Sequence, residues 1–365
     1  MPAIAEYCAD EPPLVDSYNA LLRLGQHNET TTPPPRGELT TSTPIPRAVS
    51  ECELPLIDVG CLTSGQQQAN SAEERAACAA AIAAAAAEWG FFQVVNHGVG
   101  QELLDAMRRE QARLFHLPFE AKSSTAGLLN DSYRWGTPTA TSLRQLSWSE
   151  AFHVPLAGIS GKAAGCNYGD LTTLWDVTRE VADAMSKLAR TLARVLAESL
   201  LGHGAAAGER FPEGCDDATC FLRLNRYPPC PFSPDDASAF GLVPHTDSDF
   251  LTVLCQDHVG GLQLMKGSRW VAVKPIPGAL IVNIGDLFQA WSNDRYKSVE
   301  HRVMTNATTE RYSVAYFLCP SYDSPIGTCR EPSPYRPFTF GEYRRRVQED
   351  VKKTGKKSGL RNFLV

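Results

Sequence analysis

The stretch 241–256, GLVPHTDSDFLTVLCQ, decides how this chain is read. It places His245 and Asp247 two residues apart, with β-like sequence on either side. On a strand, residues i and i+2 point to the same face, so the spacing predicts an imidazole and a carboxylate offered to one ion. A third ligand is needed. His301, in the strand-like run 298–305 (SVEHRVMT), is the strongest candidate. Among the other histidines, His97 sits between Asn96 and Gly98 in a turn, His116 ends a helix, His203 lies in a Gly-rich turn and His258 in a polar loop. Only His153, in the β-like SEAFHVP, competes.

Working outward, the C-terminal half is a succession of short β-like runs punctuated by Pro, Gly and Asn-Asp turns. They are TCFLRLNRY (219–227), DFLTVLCQ (249–256), GLQLM (261–265), RWVAVK (269–274), ALIVNIG (279–285), FQAWS (288–292), SVEHRVMT and YSVAYFLC (312–319). Such spacing predicts a closed or double-sheet β architecture, a jelly roll being the leading choice. A helix follows in 339–353, TFGEYRRRVQEDVKK.

The N-terminal half is mainly helical. Residues 1–50, rich in Thr, Pro, Ser and Glu, read as an irregular or mobile lead-in for most of their length. ELPLIDVGCL (53–62) is the first ordered strand, and Ser71 with Glu74 forms a capping box for an Ala-rich helix ending at Gly90. FFQVVNHGV (91–99) is a strand and turn, and Gln101 to about Phe115 a second helix stopped before Pro118. The 127–170 region reads as loop-rich, its aromatics Tyr133, Trp135, Trp148 and Phe152 lining a pocket or packing the core. From Asp170, Leu174, Val177, Val181, Met185, Leu188, Leu192, Leu196 and Leu200 recur at steps of three or four, one apolar face of a long helix with Gly202 as its C-cap. The expected class is therefore mixed α+β, with a mainly helical N-terminal region, a β core carrying the metal-capable residues, and a C-terminal helix. The expected divisions are a variable arm (1–52), an N-terminal region (53–160), a long helix and linker (161–216), a catalytic core (217–322) and a C-terminal helix and tail (323–365).

Composition narrows the function. A net charge of −6 argues against a nucleic-acid surface, which needs clustered Lys and Arg. The one basic cluster, Arg344, Arg345, Arg346, Lys352, Lys353, Lys356 and Lys357, reads as a solvated helix and tail. Eleven cysteines without paired spacing, and no apolar leader, point to reduced thiols and a cytoplasmic setting; Cys215 and Cys220 have no partner pair to complete a zinc site. The run Ala79–Ala87 is far short of the roughly 20 apolar residues a membrane span needs.

Two histidines and one carboxylate leave coordination positions open, the donor set of non-haem Fe(II) oxygenases. Near these ligands lie Asn225 and Tyr227 upstream, and Arg311 and Ser313 sharing a strand face downstream. A dianion chelating the metal at one end needs a cation and hydroxyls at the other. Arg311 is suited to grip its distal carboxylate, with Ser313 and Tyr227 adding hydrogen bonds.

The motifs NRYPPCP (225–231), HTDSDFLTVL (245–254), GLQLMKGSRWVAVKPIPGALIVNIGD (261–286), SVEHRV (298–303) and ERYSVAYF (310–317) resemble the plant Fe(II)/2-oxoglutarate-dependent dioxygenases. LPLIDVG (54–60) and WGFFQVVNHGV (89–99) resemble their N-terminal region. The resemblance implies a distorted double-stranded β-helix (jelly-roll) core, iron on His245, Asp247 and His301, and 2-oxoglutarate held by Arg311 and Ser313 with help from Tyr227 and Asn225. It also implies O2 as co-substrate and ascorbate as a supporting reductant. The stretch 132–156, SYRWGTPTATSLRQLSWSEAFHVPL, resembles the gibberellin 2-oxidases, in particular the branch acting on twenty-carbon precursors. Hydroxylation of a gibberellin at the 2β carbon is then the implied activity, the substrate being a small molecule and neither a nucleic acid nor a membrane. A carboxylated, mostly apolar diterpenoid calls for an apolar pocket with few polar groups, and Tyr133, Arg134 and Trp135 either line part of it or brace the loop over the core. Two alternatives stand beside this: an oxygenase of the same family acting on a flavonoid, auxin or specialised metabolite, and a non-catalytic cupin-like binding protein. Hydrolytic zinc chemistry lacks its HExxH-like segment.

Overall fold

Period-two alternation along the C-terminal strands builds two faces, and each face finds its own cover. The computed structural model describes residues 11–29, 49–63, 72–124, 132–159, 171–201, 218–232 and 240–365. Its strands are β1 (Glu51–Cys52), β2 (Leu56–Asp58), β3 (Phe91–Val95), β4 (Tyr133–Trp135), β5 (Glu150–Pro155), β6 (Phe221–Tyr227), β7 (Phe240–His245), β8 (Leu251–Gln256), β9 (Leu262–Lys266), β10 (Arg269–Val273), β11 (Leu280–Ile284), β12 (His301–Met304) and β13 (Arg311–Leu318). They form an eight-stranded sheet, β2-β3-β11-β8-β13-β6-β5-β4, and a five-stranded sheet, β1-β10-β9-β12-β7. The jelly-roll core expected from the sequence is present as these two sheets.

The outer face of the larger sheet is covered by helices. Leu222, Leu224, Leu251, Val253, Leu280, Val282, Val314 and Tyr316 pack there with Met107, Leu114, Val181, Met185, Leu188 and Leu192 from the helices Gln101–Phe115 and Thr172–Leu201. The long helix is built as its periodicity predicts: its Leu and Val stripe is buried against the sheet. Between the sheets lies a smaller core. Phe91, Tyr227 and Ile281 from the large sheet meet Leu262, Leu264, Val273 and Val303 from the small one. β11 is buried at every position because both of its faces are covered, which is why its sequence is apolar on both faces except at Asn283.

Several expectations need correction. FQAWS is not a strand: Asp286–Trp291 is a short helix opened by Gly285, with Leu287 and Trp291 four residues apart on one buried face. The 127–170 region is less loop-like than its composition implies. β4 and β5 extend the large sheet beside β6, with Phe152 and Val154 turned to the helical core. Within residues 1–50 the lead-in contains a helix, Leu14–Glu29, whose Leu14, Tyr18 and Leu21 pack on Leu146, Trp148 and Cys230. Lys357 is not solvated as the basic tail predicts; it is paired and mostly buried. The proposed cap residues Ser71 and Gly202, along with His203 and Cys215, lie outside the described residues. The C-terminal helix runs Phe340–Thr354, capped by Thr339, which accepts from the Glu342 amide, and by Gly355 in the left-handed region. Among the described residues no helix is long and apolar enough to cross a membrane.

Candidate active site

His245, Asp247 and His301 converge at the rim of the space between the sheets, their ligand atoms all within 4.8 Å of one another. The route to this convergence differs from the predicted one. His245 is the last residue of β7, and Asp247 lies beyond it in the turn to β8, so strand alternation does not place the carboxylate. Backbone hydrogen bonds do. The Asp286 amide donates to the Asp247 carbonyl at 2.9 Å and the Leu287 amide to the Asp249 carbonyl at 3.0 Å, folding the turn onto the short helix. His301 arrives from the neighbouring strand: β12 pairs antiparallel with β7 with His301 opposite His245, their ring centroids 4.3 Å apart.

Each of the three side chains is aimed by a partner outside the cluster. His245 Nδ1 lies 2.8 Å from the Val243 carbonyl and His301 Nδ1 3.0 Å from that of Val299. A carbonyl only accepts, so both Nδ1 atoms carry the proton and both Nε2 lone pairs are left to face the shared centre. Asp247 Oδ2 accepts from Thr252 Oγ1 and Asn283 Nδ2, each at 2.7 Å. Oδ1 is thereby directed inward, 3.6 Å from His245 Nε2 and 3.8 Å from His301 Nε2. Burial raises the Asp247 pKa, but the two imidazoles and the Asn283 and Thr252 donors outweigh it and hold the carboxyl at about 2. Burial, followed by the nearby His301, lowers His245 to about 3. At neutral pH the site thus presents a carboxylate beside a neutral His245, the protonation states a divalent cation requires.

A second polar group faces the same space from the large sheet. Along β13, Arg311 stands opposite Tyr227 of β6, and Ser313 opposite Asn225 on one side and Gln256 of β8 on the other. Ser313 Oγ accepts from Asn225 Nδ2 at 3.3 Å. Gln111, from the helix behind the sheet, donates to the carbonyls of both Asn225 and Ser313 and ties the two strands together. Arg311 is 2% exposed, and its guanidinium lies over the Tyr227 ring with its carbon 4.9 Å from the centroid. Its Nη2 donates to Gln256 Oε1 at 2.8 Å, yet Nε and Nη1 are buried without a partner among the described residues. Buried, charged donors left unmade are costly, so the guanidinium keeps N–H groups to meet an incoming carboxylate. The residues present therefore fit both a divalent cation and a dianionic chelator.

The three residues around position 134 divide by face. Tyr133 and Trp135 turn to the helical side; Tyr133 donates to Glu150 and packs at a tilt against Phe152, and both aromatic rings meet Phe119. Arg134 alternates to the opposite face, in one row with Ala151, Asn225 and Ser313 across β4, β5, β6 and β13. His153, the competing histidine, stands on β5 away from the triad, its ring against Phe221 at 4.0 Å. Sequence reasoning missed Thr252, Asn283, Gln256 and Gln111. Asn283 and Thr252 could have been found, as polar residues interrupting the apolar runs ALIVNIG and DFLTVLCQ on the face shared with the ligands.

Two family models match the chain: the 2OG-Fe(II) oxygenase superfamily over residues 218–320, and the non-haem dioxygenase in morphine synthesis N-terminal region over 54–162. Gibberellin 2-beta-dioxygenase 6 of Oryza sativa is 65% identical, with 100% of this chain and 98% of the relative aligned. The chain belongs to the 2OG-Fe(II) oxygenase superfamily. Gibberellin 2-beta-dioxygenase 8 of Arabidopsis thaliana is 52% identical over 97% of this chain and 98% of its own length. Among solved structures, JOX2 in complex with 2OG, Fe and JA aligns with a TM-score of 0.69 at 34% identity, covering 87% of this chain and 90% of that one. Like the rest of the superfamily, this oxygenase uses Fe(II) and 2-oxoglutarate. The polar cluster between its sheets has the donor set both require.

Proposed function

We propose that this oxygenase hydroxylates gibberellins at the 2β carbon, inactivating the hormone or its twenty-carbon precursors. The observation that carries the substrate is the 65% identity to a gibberellin 2-beta-dioxygenase along the full chain, which includes the stretch 132–156. In this assignment His245, Asp247 and His301 hold Fe(II). Arg311 and Ser313, with Asn225 and Tyr227, hold the far carboxylate of 2-oxoglutarate. The partnerless Nε and Nη1 of Arg311 support that role. Bound together, iron, 2-oxoglutarate and O2 supply the oxidising power, with ascorbate as supporting reductant.

The protein's own contribution is geometric and electrostatic. The Val243 and Val299 carbonyls keep both imidazoles in the metal-binding tautomer, and Thr252 with Asn283 leaves Asp247 one oxygen to give. Phe91, packed edge-on against His301 at 5.3 Å, and the apolar residues between the sheets exclude water around it. Arg134 reaches the substrate from the inner face of β4, while Tyr133 and Trp135 brace that strand from behind. The divisions at 53–160, 161–216, 217–322 and 323–365 belong to this proposal, as does a cytoplasmic location, which the absence of paired cysteine spacing in the sequence supports.

The test is aerobic incubation with Fe(II), ascorbate, 2-oxoglutarate and a panel of nineteen- and twenty-carbon gibberellins, following succinate and hydroxylated product together. Coupled formation of succinate and a 2β-alcohol is expected. Succinate coupled to product only when a flavonoid or auxin replaces the gibberellin would overturn the substrate assignment.

A further inference from the structure

The turn that carries Asp247 is held from a direction the metal chemistry does not require. Gly355 ends the C-terminal helix in the left-handed conformation, and the chain folds back so that Lys357 reaches the turn. Lys357 Nζ donates to the Thr246 carbonyl at 2.8 Å and to Ser248 Oγ at 2.9 Å, and pairs with Asp286 Oδ2 at 2.6 Å. Thr246 and Ser248 flank Asp247, and Asp286 is the residue whose amide holds the Asp247 carbonyl. Asp286 Oδ2 also accepts from Thr246 Oγ1 at 3.2 Å and from the Tyr343 hydroxyl. The three donors of one ammonium are thus spent on three groups around one ligand-bearing turn. The tail is itself fixed: Asp350 Oδ2 accepts from the Ser358 amide and from Asn362 Nδ2.

We infer that Lys357 is a positioning residue for the metal site, locking the 246–248 turn so that Asp247 meets His245 and His301 without reorganising when the ion binds. The inference rests on the assignment of Fe(II) to those three residues. A side chain that only joined the tail to the body would satisfy one element; this one bridges the C-terminal tail, the metal turn and the helix Asp286–Trp291. Outer partners of metal ligands typically control metal affinity by roughly 10- to 100-fold.

The test compares wild-type protein, Lys357→Met and His245→Ala by titration with Mn(II), a redox-quiet probe, read by calorimetry, and by Fe(II) half-saturation of turnover. Lys357→Met should weaken Mn(II) binding about tenfold, with 2-oxoglutarate affinity at saturating metal unchanged. Mn(II) affinity within twofold of wild type would overturn the inference, whatever happens to thermal stability. If Lys357→Met does not fold, Lys357→Arg is read by the same criterion, since guanidinium geometry cannot reproduce three contacts to one nitrogen. His245→Ala separates the two levels. If it binds Mn(II) normally, the metal assignment fails; if it loses Mn(II) while Lys357→Met does not, only the role of Lys357 fails.

Discussion

A buried guanidinium with two of its three nitrogens unpaired among the described residues is the most informative residue in this chain. Gln256 takes an N–H of the Arg311 Nη2 and the Tyr227 ring covers its face, which leaves Nε and Nη1 to meet a carboxylate. Arg311→Ala should cost about 1.5–3 kcal/mol of 2-oxoglutarate affinity, roughly a ten- to hundredfold rise in its half-saturation. Arg311→Lys should recover little of it, because an ammonium cannot present two parallel N–H groups. Titrating 2-oxoglutarate at saturating Fe(II) measures both, and normal affinity in Arg311→Ala would remove it from the co-substrate site. Asp247 makes the complementary case. With Asn283→Ala, its Oδ2 loses one of two donors and the carboxylate is free to turn, so metal affinity should fall about tenfold while the fold persists. Metal titration followed by calorimetry checks it.

Elements explain what single residues do not, and they show how far sequence alone reaches. The two histidines and the Arg311/Ser313 pair are legible because they sit in β-like runs, and period two puts Arg311 and Ser313 on one face of β13. Asp247 comes beside the two histidines for a reason other than strand alternation, since it lies past the end of its strand and is placed by amides of the helix Asp286–Trp291. FQAWS reads as a strand because this helix is only six residues long, five of them buried, too short and too evenly covered to show a helical period. β4 escaped notice because three residues are too few to alternate.

On β5, burial, and then Arg223, Arg344 and Arg134, lower the His153 pKa to about 4. The unfolded chain binds this proton near pH 6.5 and the folded chain near 4. The neutral ring's contribution is therefore complete above pH 6.5 and is lost as pH falls towards 4. His153→Phe keeps a ring against Phe221 and removes the titration, so its melting temperature should fall less between pH 7 and 5 than that of the wild type. An identical decline in both proteins would assign the acid sensitivity to other groups.

At the scale of the whole molecule, the N-terminal helix closes onto the same sheet that carries Asn225, Tyr227 and Arg311. Arg226, adjacent to Asn225 and Tyr227 but on the opposite face, is 4% exposed and pairs with Glu150 at 2.6 Å, with Glu310 at 2.9 Å and with Glu11 at 2.8 Å. Lys122 completes the cluster through Glu150 at 2.8 Å. From Glu11 the chain enters the helix Leu14–Glu29, and Tyr18 stacks on Phe232 with ring centroids 3.6 Å apart, covering the Pro-rich turn that follows Tyr227. The arm is thus an integral cover for an apolar patch that includes Leu146, Trp148 and Cys230. Tyr18→Ala removes a buried ring and should lower stability by roughly 3 kcal/mol, visible as a reduced denaturation midpoint. Glu11→Gln should do much less. Arg226 keeps Glu150 and Glu310, and a pair whose acid is 41% exposed contributes little in water. Equal losses in the two variants would mean that charge, rather than apolar cover, holds the arm in place.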